Sequence, residues 1–390
     1  MTTKNMLVCA AIACGTIATA SADDVYLTGS SAFRGVVMKY LREHMTNKRA
    51  VFDKALNSDL TKSVDASSFI VLSGNYGGNP ITIYCAWTGS VAGIHTVVES
   101  QNVAFPVKPA DFDTNVNYSI EGAGQGVQGT TVNSLGNITS ASFNHIPSFG
   151  FSDVFQSSTV YTTPANDTPL AVLPFKWVAS RGAQASGVTN ITPQLAQTLF
   201  KTGTVSLAQF TGIPAHAANK VYALGRNGES GTRLSAMAEM GVGVSAGLTQ
   251  YQPVGNPVTS WTNIGNDGYV SGGTLAGALG AVTTAANGHA IAYLGVSDAS
   301  TATNATNQAT EVSHNGVFYT AASDVIHGRY TFWCYEHLFD RGDQTGQSLS
   351  LLTDLQTNLP TAFNTSVTTI RLGDMQCERG SDGETVFHFD

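Results

Sequence analysis

The segment RNGESGTRLSAMAEMG, residues 226–241, sets two arginines around a turn of Gly, Glu, Ser and Thr that opens onto a helical Ala/Met pattern. A helix N-terminus presents unpaired N–H groups and about half a positive charge. Gly231 lets a ligand approach the backbone closely. Ser230 and Thr232 add hydroxyl donors, and Arg226 offers a two-pronged charged contact. Together these residue types make a site for a small oxyanion. The turns Ser30-Ser31-Ala32 and Thr88-Gly89-Ser90 have the same make-up. Three such termini aimed at one point could dehydrate an anion without a large positive charge. Singly, each hydroxyl reads equally as a helix cap, and Arg34 and Arg233 could point to solvent from their helices.

The elements that must position these turns are strand–turn–helix units. Val25–Leu27 reads as a strand. A helix follows whose apolar face is Phe33, Val36, Val37, Tyr40, Leu41 and Met45, capped by Ser30 or Ser31. Residues 67–99 read as two strands joined by a Gly-rich turn, then a helix from Thr88-Gly89-Ser90. Further strands are expected ending at Ser152-Asp153, over 170–178, 220–224 and 289–296, and starting at Tyr330–Tyr335. Helices are expected over 191–203, within 264–282 and over 349–358. Residues 100–145 are low in charge and rich in Gly, Asn, Thr and Ser, and read as an irregular or hairpin insert. Small hydroxyl residues recur at strand C-termini, the edge where open α/β sheets bind ligands.

Composition narrows the partners. The 390 residues suffice for two lobes, with 42% hydrophobic but only 12% charged residues. The first 22 residues pair Lys4 with an apolar stretch and end Ala20-Ser21-Ala22, the pattern of a cleaved secretory signal. Its removal takes one lysine and no acid, so the mature chain carries 18 basic and 27 acidic residues, a net charge of −9. Such a chain should avoid nucleic acid and anionic membranes. Of the three remaining cysteines, Cys334 and Cys377 are a candidate bridge, with three buried thiols as the alternative. GQGVQG (124–129) lacks a following helix, and GVSAG (243–247) follows a helix rather than a strand, so neither nucleotide fingerprint nor hydrolase nucleophile is read there. The nine histidines show no metal spacing. No catalytic residue, metal or cofactor is expected.

The blocks LTGSSAF, WTGSVAGI, GFSD and RNGESGTR, in that order, with GNDG at 265–268 and GHAIAY at 288–293, resemble the phosphate-binding proteins of bacterial phosphate ABC transporters. The resemblance implies a two-lobed α/β fold of the type 2 periplasmic binding class with a hinged cleft. It implies lobes at 23–172 plus 328–390 and at 173–327. It implies a monomer that binds inorganic phosphate in the periplasm and serves an ABC permease, not an enzyme. The same fold used for surface adhesion or phosphate scavenging is the alternative, and a secreted hydrolase the third. Carried over residue by residue, the ligand set is Ser31, Ala32, Phe33, Ser90, Asp153, Arg226, Ser230, Gly231 and Thr232. Ala32 replaces the family's usual threonine, with Ser31 as its substitute. Gly228 stands where an aspartate braces the arginine, and whether Glu229 takes that role stays open. Asp153 is the informative member: a carboxylate suits an anion site only if it accepts a proton from the ligand, which hydrogen phosphate has and sulfate lacks. A helix cap is the competing role for Asp153.

Overall fold

A computed structural model describes residues 22–133, 136–283 and 288–389; the expected signal segment lies outside them apart from Ala22. The first part of the chain runs β1 (Asp23–Gly29), α1 (Arg34–His44), β2 (Met45–Phe52), α2 (Leu60–Ser63), β3 (Phe69–Tyr76), β4 (Asn79–Ala86), α3 (Ser90–Val98), β5 (Val103–Pro106), β6 (Val127–Gln128), β7 (Ser142–His145), β8 (Phe149–Ser152) and β9 (Asn166–Ala179). The middle runs β10 (Asn190–Ile191), α4 (Pro193–Thr202), β11 (Thr204–Ser206), α5 (Ala208–Thr211), β12 (Lys220–Ala223), α6 (Gly231–Glu239), β13 (Gln250–Val254), β14 (Ser260–Gly265), α7 (Gly272–Gly280), β15 (His289–Gly295), α8 (Val296–Thr303) and β16 (Thr310–His314). The chain closes with α9 (Ala322–Ile326), β17 (Trp333–Asp340), α10 (Gly346–Thr357), β18 (Cys377–Glu378) and β19 (Phe387–His388).

The fold is mixed α/β. Its main sheet has the order β11-β12-β15-β9-β17-β8-β1-β4-β3-β2-β6. The 14-residue β9 joins two halves of this sheet. Residues 166–174 of β9 pair antiparallel with β17, and residues 175–179 pair antiparallel with β15. Within the first half, β4 and β8 flank β1 and both run parallel to it. Within the second, β12 runs parallel to β15. The C-terminal ends of β1, β4, β8 and β12 therefore carry the loops at 29–33, 87–90, 153 and 224–230.

Packing fixes those ends. Val25 and Leu27 of β1, Ile81 and Ile83 of β4 and Phe149 and Phe151 of β8 belong to one buried core with Val37, Leu41, Ile94 and Val97 from α1 and α3. Tyr26 of β1 and Tyr84 and Ala86 of β4, with Val71 of β3, face a smaller core with Phe105 and Phe112. Both faces of the sheet are thus covered, as parallel strands require. Phe33 is fully buried, with its ring 6.4 Å from Phe151 and 6.1 Å from Phe363.

Two expectations need correction. Neither Ser30 nor Ser31 is the cap of α1: Phe33 holds the N-cap position and no side chain caps it. Met45 does not continue the helical face. It starts β2, which pairs antiparallel with β3. The segment 100–145 contributes an antiparallel pair, β5 with β7, and adds β6 to the sheet edge beside β2. Gly136 of this segment lies against Val270, where an added Cβ would sit 3.5 Å from the valine Cβ. This segment thus approaches the second half of the sheet at Val270. Cys85, Cys334 and Cys377 are all free and buried, so Cys334 and Cys377 form no bridge.

Candidate functional site

Four strand ends bring the anion-type residues together. The second loop meets the first through the Gly89 amide, which donates to the Gly29 carbonyl at 3.0 Å. It meets the second half through Val91, whose amide donates to the Glu229 carbonyl at 3.0 Å. Gly89 is the only residue type that fits there: its φ is +124°, and a Cβ would come within 2.3 Å of the Glu229 oxygen. The N-termini of α3 and α6 consequently abut. A Cβ on Gly231 would fall 1.6 Å from Asp153 Oδ1 and 2.6 Å from Ser90 Cβ. Thr232 Oγ1 donates to Asp153 Oδ2 at a long 3.5 Å. Ser90, Asp153, Gly231 and Thr232 thus share one buried spot at two helix starts.

Arg226 is 3% exposed and held rigidly. Its Nε donates to the Tyr269 carbonyl at 3.0 Å and its Nη2 to the Val270 carbonyl at 2.7 Å. Its backbone amide donates to the Tyr293 hydroxyl at 3.0 Å. The brace is therefore the backbone after GNDG, not Glu229, whose buried Oε2 has no hydrogen-bond partner. Burial disfavours the charge on Arg226, and Asp298 and then Asp153 oppose that effect in part. Neither acid forms an ion pair with it among the described residues, so the cation is braced without being neutralised by direct contact. Arg233 is buried too, contrary to a solvent-facing role. Its Nη1 donates to the carbonyls of Arg226 and Asn266, at 2.9 and 2.7 Å. It supports the loop rather than facing the cleft.

Asp153 is 1% exposed, and its Oδ1 has no hydrogen-bond partner. It caps no helix of the structure. Burial pushes its carboxyl up to about 6, against the lowering pull of Ser90 and Arg226. Ser90 is the side chain that bonds toward this carboxyl, and with Oδ1 lacking a well-aligned donor the carboxyl keeps acceptor capacity for a ligand at the start of α6.

The other predicted residues sit differently. Ser230 is the N-cap of α6, and its Oγ accepts from the Arg233 amide at 3.3 Å. The Phe33 amide donates to Ser30 Oγ at 3.3 Å. Ser31 and Ala32 line a neighbouring cavity of about 400 Å³, with Arg34, Phe175, Asp298 and Thr369 on its walls. Burial lowers the tendency of Arg34 to carry its charge, with Asp298 the largest opposing influence. Its buried Nε has no partner. Asp298 is a residue that sequence reasoning missed. Its carboxylate packs on Gly272 at the start of α7, and burial pushes its carboxyl up against the opposing pull of Arg226 and Arg34. Glu336, fully buried beneath the first loop, was missed as well. A larger open depression of about 710 Å³ lies at the opposite end of β1, around Asp23, Asp24 and Arg341, and holds none of the predicted residues. Among the described residues no cluster of His, Cys, Asp and Glu could hold a metal ion, and no helix is long and apolar enough to cross a membrane.

No protein-family profile matches the chain, and no curated protein matches it. Solved structures resemble it at a distance. A phosphate ABC transporter substrate-binding protein with bound phosphate from Clostridium perfringens is 11% identical, covering 90% of this chain and all of its own, with a TM-score of 0.49. An ABC-type phosphate transport receptor from Vibrio cholerae is 12% identical, covering 86% of this chain and 93% of its own, with a TM-score of 0.44. PstS from Borrelia burgdorferi is 14% identical over the same shares, with a TM-score of 0.40. The structural neighbours are binding proteins of phosphate transport. At this distance they decide nothing about the site.

Proposed function

We propose that this chain is an exported binding protein, not an enzyme, that takes inorganic phosphate between two lobes, 23–172 plus 328–390 and 173–327. The lobes follow the type 2 periplasmic binding design, with β9 crossing from the first lobe into the second. The protein acts as a monomer in the periplasm and hands its ligand to an ABC permease. Ser90, Gly231 and Thr232 supply donors at the starts of α3 and α6, and Arg226 supplies the fixed charge. Ser31, Ala32 and Phe33 close the site from the start of α1.

The observation that carries this reading is Asp153, a buried carboxylate against the Gly231 backbone whose Oδ1 lacks a well-aligned donor. A site built to repel every anion would not surround a carboxylate with helix N-termini and a braced arginine. A site built for a protonated oxyanion would: the carboxylate accepts the ligand's O–H, and the amides and Arg226 take its charged oxygens. Sulfate has no proton to give, and its oxygen would face the carboxylate unshielded.

Trp87 is buried next to the Thr88-Gly89-Ser90 loop and reports on it. Titration of the 23–390 chain by tryptophan emission should give a saturable change with phosphate and none with sulfate. Equal responses to both, or to neither, would count against the proposal.

A further inference from the structure

Beneath the first loop lies a second buried acid. Glu336 sits on β17, fully enclosed, opposite Ala171 of β9. Its Oε2 accepts from Ser30 Oγ at 2.9 Å, and Ser30 Oγ in turn accepts from the Phe33 amide at 3.3 Å. Its Oε1 has no partner. The groups facing it are Ser30 from the end of β1, Asp153 from the end of β8 and Cys334 on its own strand. From α3, which packs on β17, the nearest titratable group is His95, whose ring is taken up by Tyr161. No cation among these balances a charge on Glu336. A charged carboxylate with one hydrogen bond and no cation in a dry setting is strongly disfavoured, and the neutral acid costs far less to bury there.

We propose that Glu336 is a positioning residue of the anion site: uncharged, it holds Ser30 and through it the Phe33 amide, and it adds no second charge directly behind Asp153. Burial and the neighbouring Asp153 both push the Glu336 carboxyl well above the usual range, in keeping with the geometry. The chain Glu336–Ser30–Phe33 sets the shape of the turn that starts α1. Glu336 itself touches no ligand. If Glu336 ionises, a second negative charge stands behind the site, and an anion is repelled. The inference rests on the phosphate reading of the site.

The test is phosphate affinity by calorimetry at neutral pH and through the alkaline range, on the 23–390 chain and two variants. In the wild type, affinity should fall at the alkaline end. Glu336→Gln, which mimics the neutral acid, should keep neutral-pH affinity within roughly threefold and should lose part of the alkaline fall. The hydroxyl of Tyr293 and the thiol of Cys334 remain in the variant, so the difference between the two profiles belongs to Glu336. Glu336→Ala leaves Ser30 unheld and should weaken binding at every pH. Infrared difference spectra, wild type minus Glu336→Gln, should show a neutral carboxylic-acid C=O band at neutral pH, whether or not ligand is added. Superimposable alkaline profiles, or the absence of that band, overturn the inference while leaving phosphate binding intact. A wild type that binds no phosphate at any pH overturns the underlying reading, and this inference with it.

Discussion

The Gly231 backbone rests directly on the Asp153 carboxylate, so closely that a Cβ would stand 1.6 Å from Oδ1. Asp153 directly follows β8 in one half of the sheet and Gly231 starts α6 in the other. One missing methyl group therefore lets a carboxylate from one half sit against a helix start from the other. Gly231→Ala should force them apart. Ligand-free stability should fall by about 1–3 kcal/mol, the usual cost of overpacking, and phosphate affinity should fall with it. Chemical denaturation and a phosphate titration of the variant check both, and an alanine that costs neither would mean the contact is dispensable.

Arg226 should dominate affinity. Removing one partner of a charge-assisted hydrogen bond costs about 1.5–3 kcal/mol, which is roughly 10- to 150-fold in Kd. Arg226→Lys should recover only part of this, because the two bonds to the Tyr269 and Val270 carbonyls use the planar fork. Calorimetric affinities for the two variants and the wild type test the ranking.

Phe33 should matter to stability more than to binding. Its ring is fully buried between Phe151 and Phe363. Truncation to alanine should cost about 3–5 kcal/mol, read from denaturant midpoints.

Stability should also depend on pH through Asp153. Its carboxyl sits at about 6 in the fold, above the value near 3.9 of an unfolded chain. Folding therefore favours the protonated form. The contribution is fully present below about pH 4 and is lost as the pH rises through about 6. Without ligand, the Tm of the wild type minus that of Asp153→Asn should decline between those values. A flat or rising difference would mean the carboxyl is not held up by burial.

Much of this was legible in the sequence because its signals are local. The turn residues of 226–232 and 88–90 mark helix starts by their own chemistry, and β8, β9, β12 and β15 announce themselves as short apolar runs. β2 did not: MTNKRAVF follows α1 with no Gly or Pro between them, and its polar first half hides the alternation. The cap of α1 was misplaced because Ser30 spends its oxygen on Phe33 and its proton on Glu336, 306 residues away. The brace of Arg226 was invisible for a different reason. It is made by backbone carbonyls, which every residue type carries. Asp298 of α8 and Glu336 of β17 escaped notice because only the tertiary arrangement brings their elements to the site.

The central claim is that Asp153 reads the ligand's proton. Competition calorimetry of phosphate against sulfate, at a pH above 7 where Asp153 is charged, tests it on the wild type and on Asp153→Asn. The amide keeps the shape, loses the charge and can donate to a fully ionised oxygen. The account predicts no measurable sulfate binding to the wild type, and in the variant a moderate loss of phosphate affinity with sulfate binding now detectable. The same phosphate-to-sulfate ratio in both proteins would contradict it.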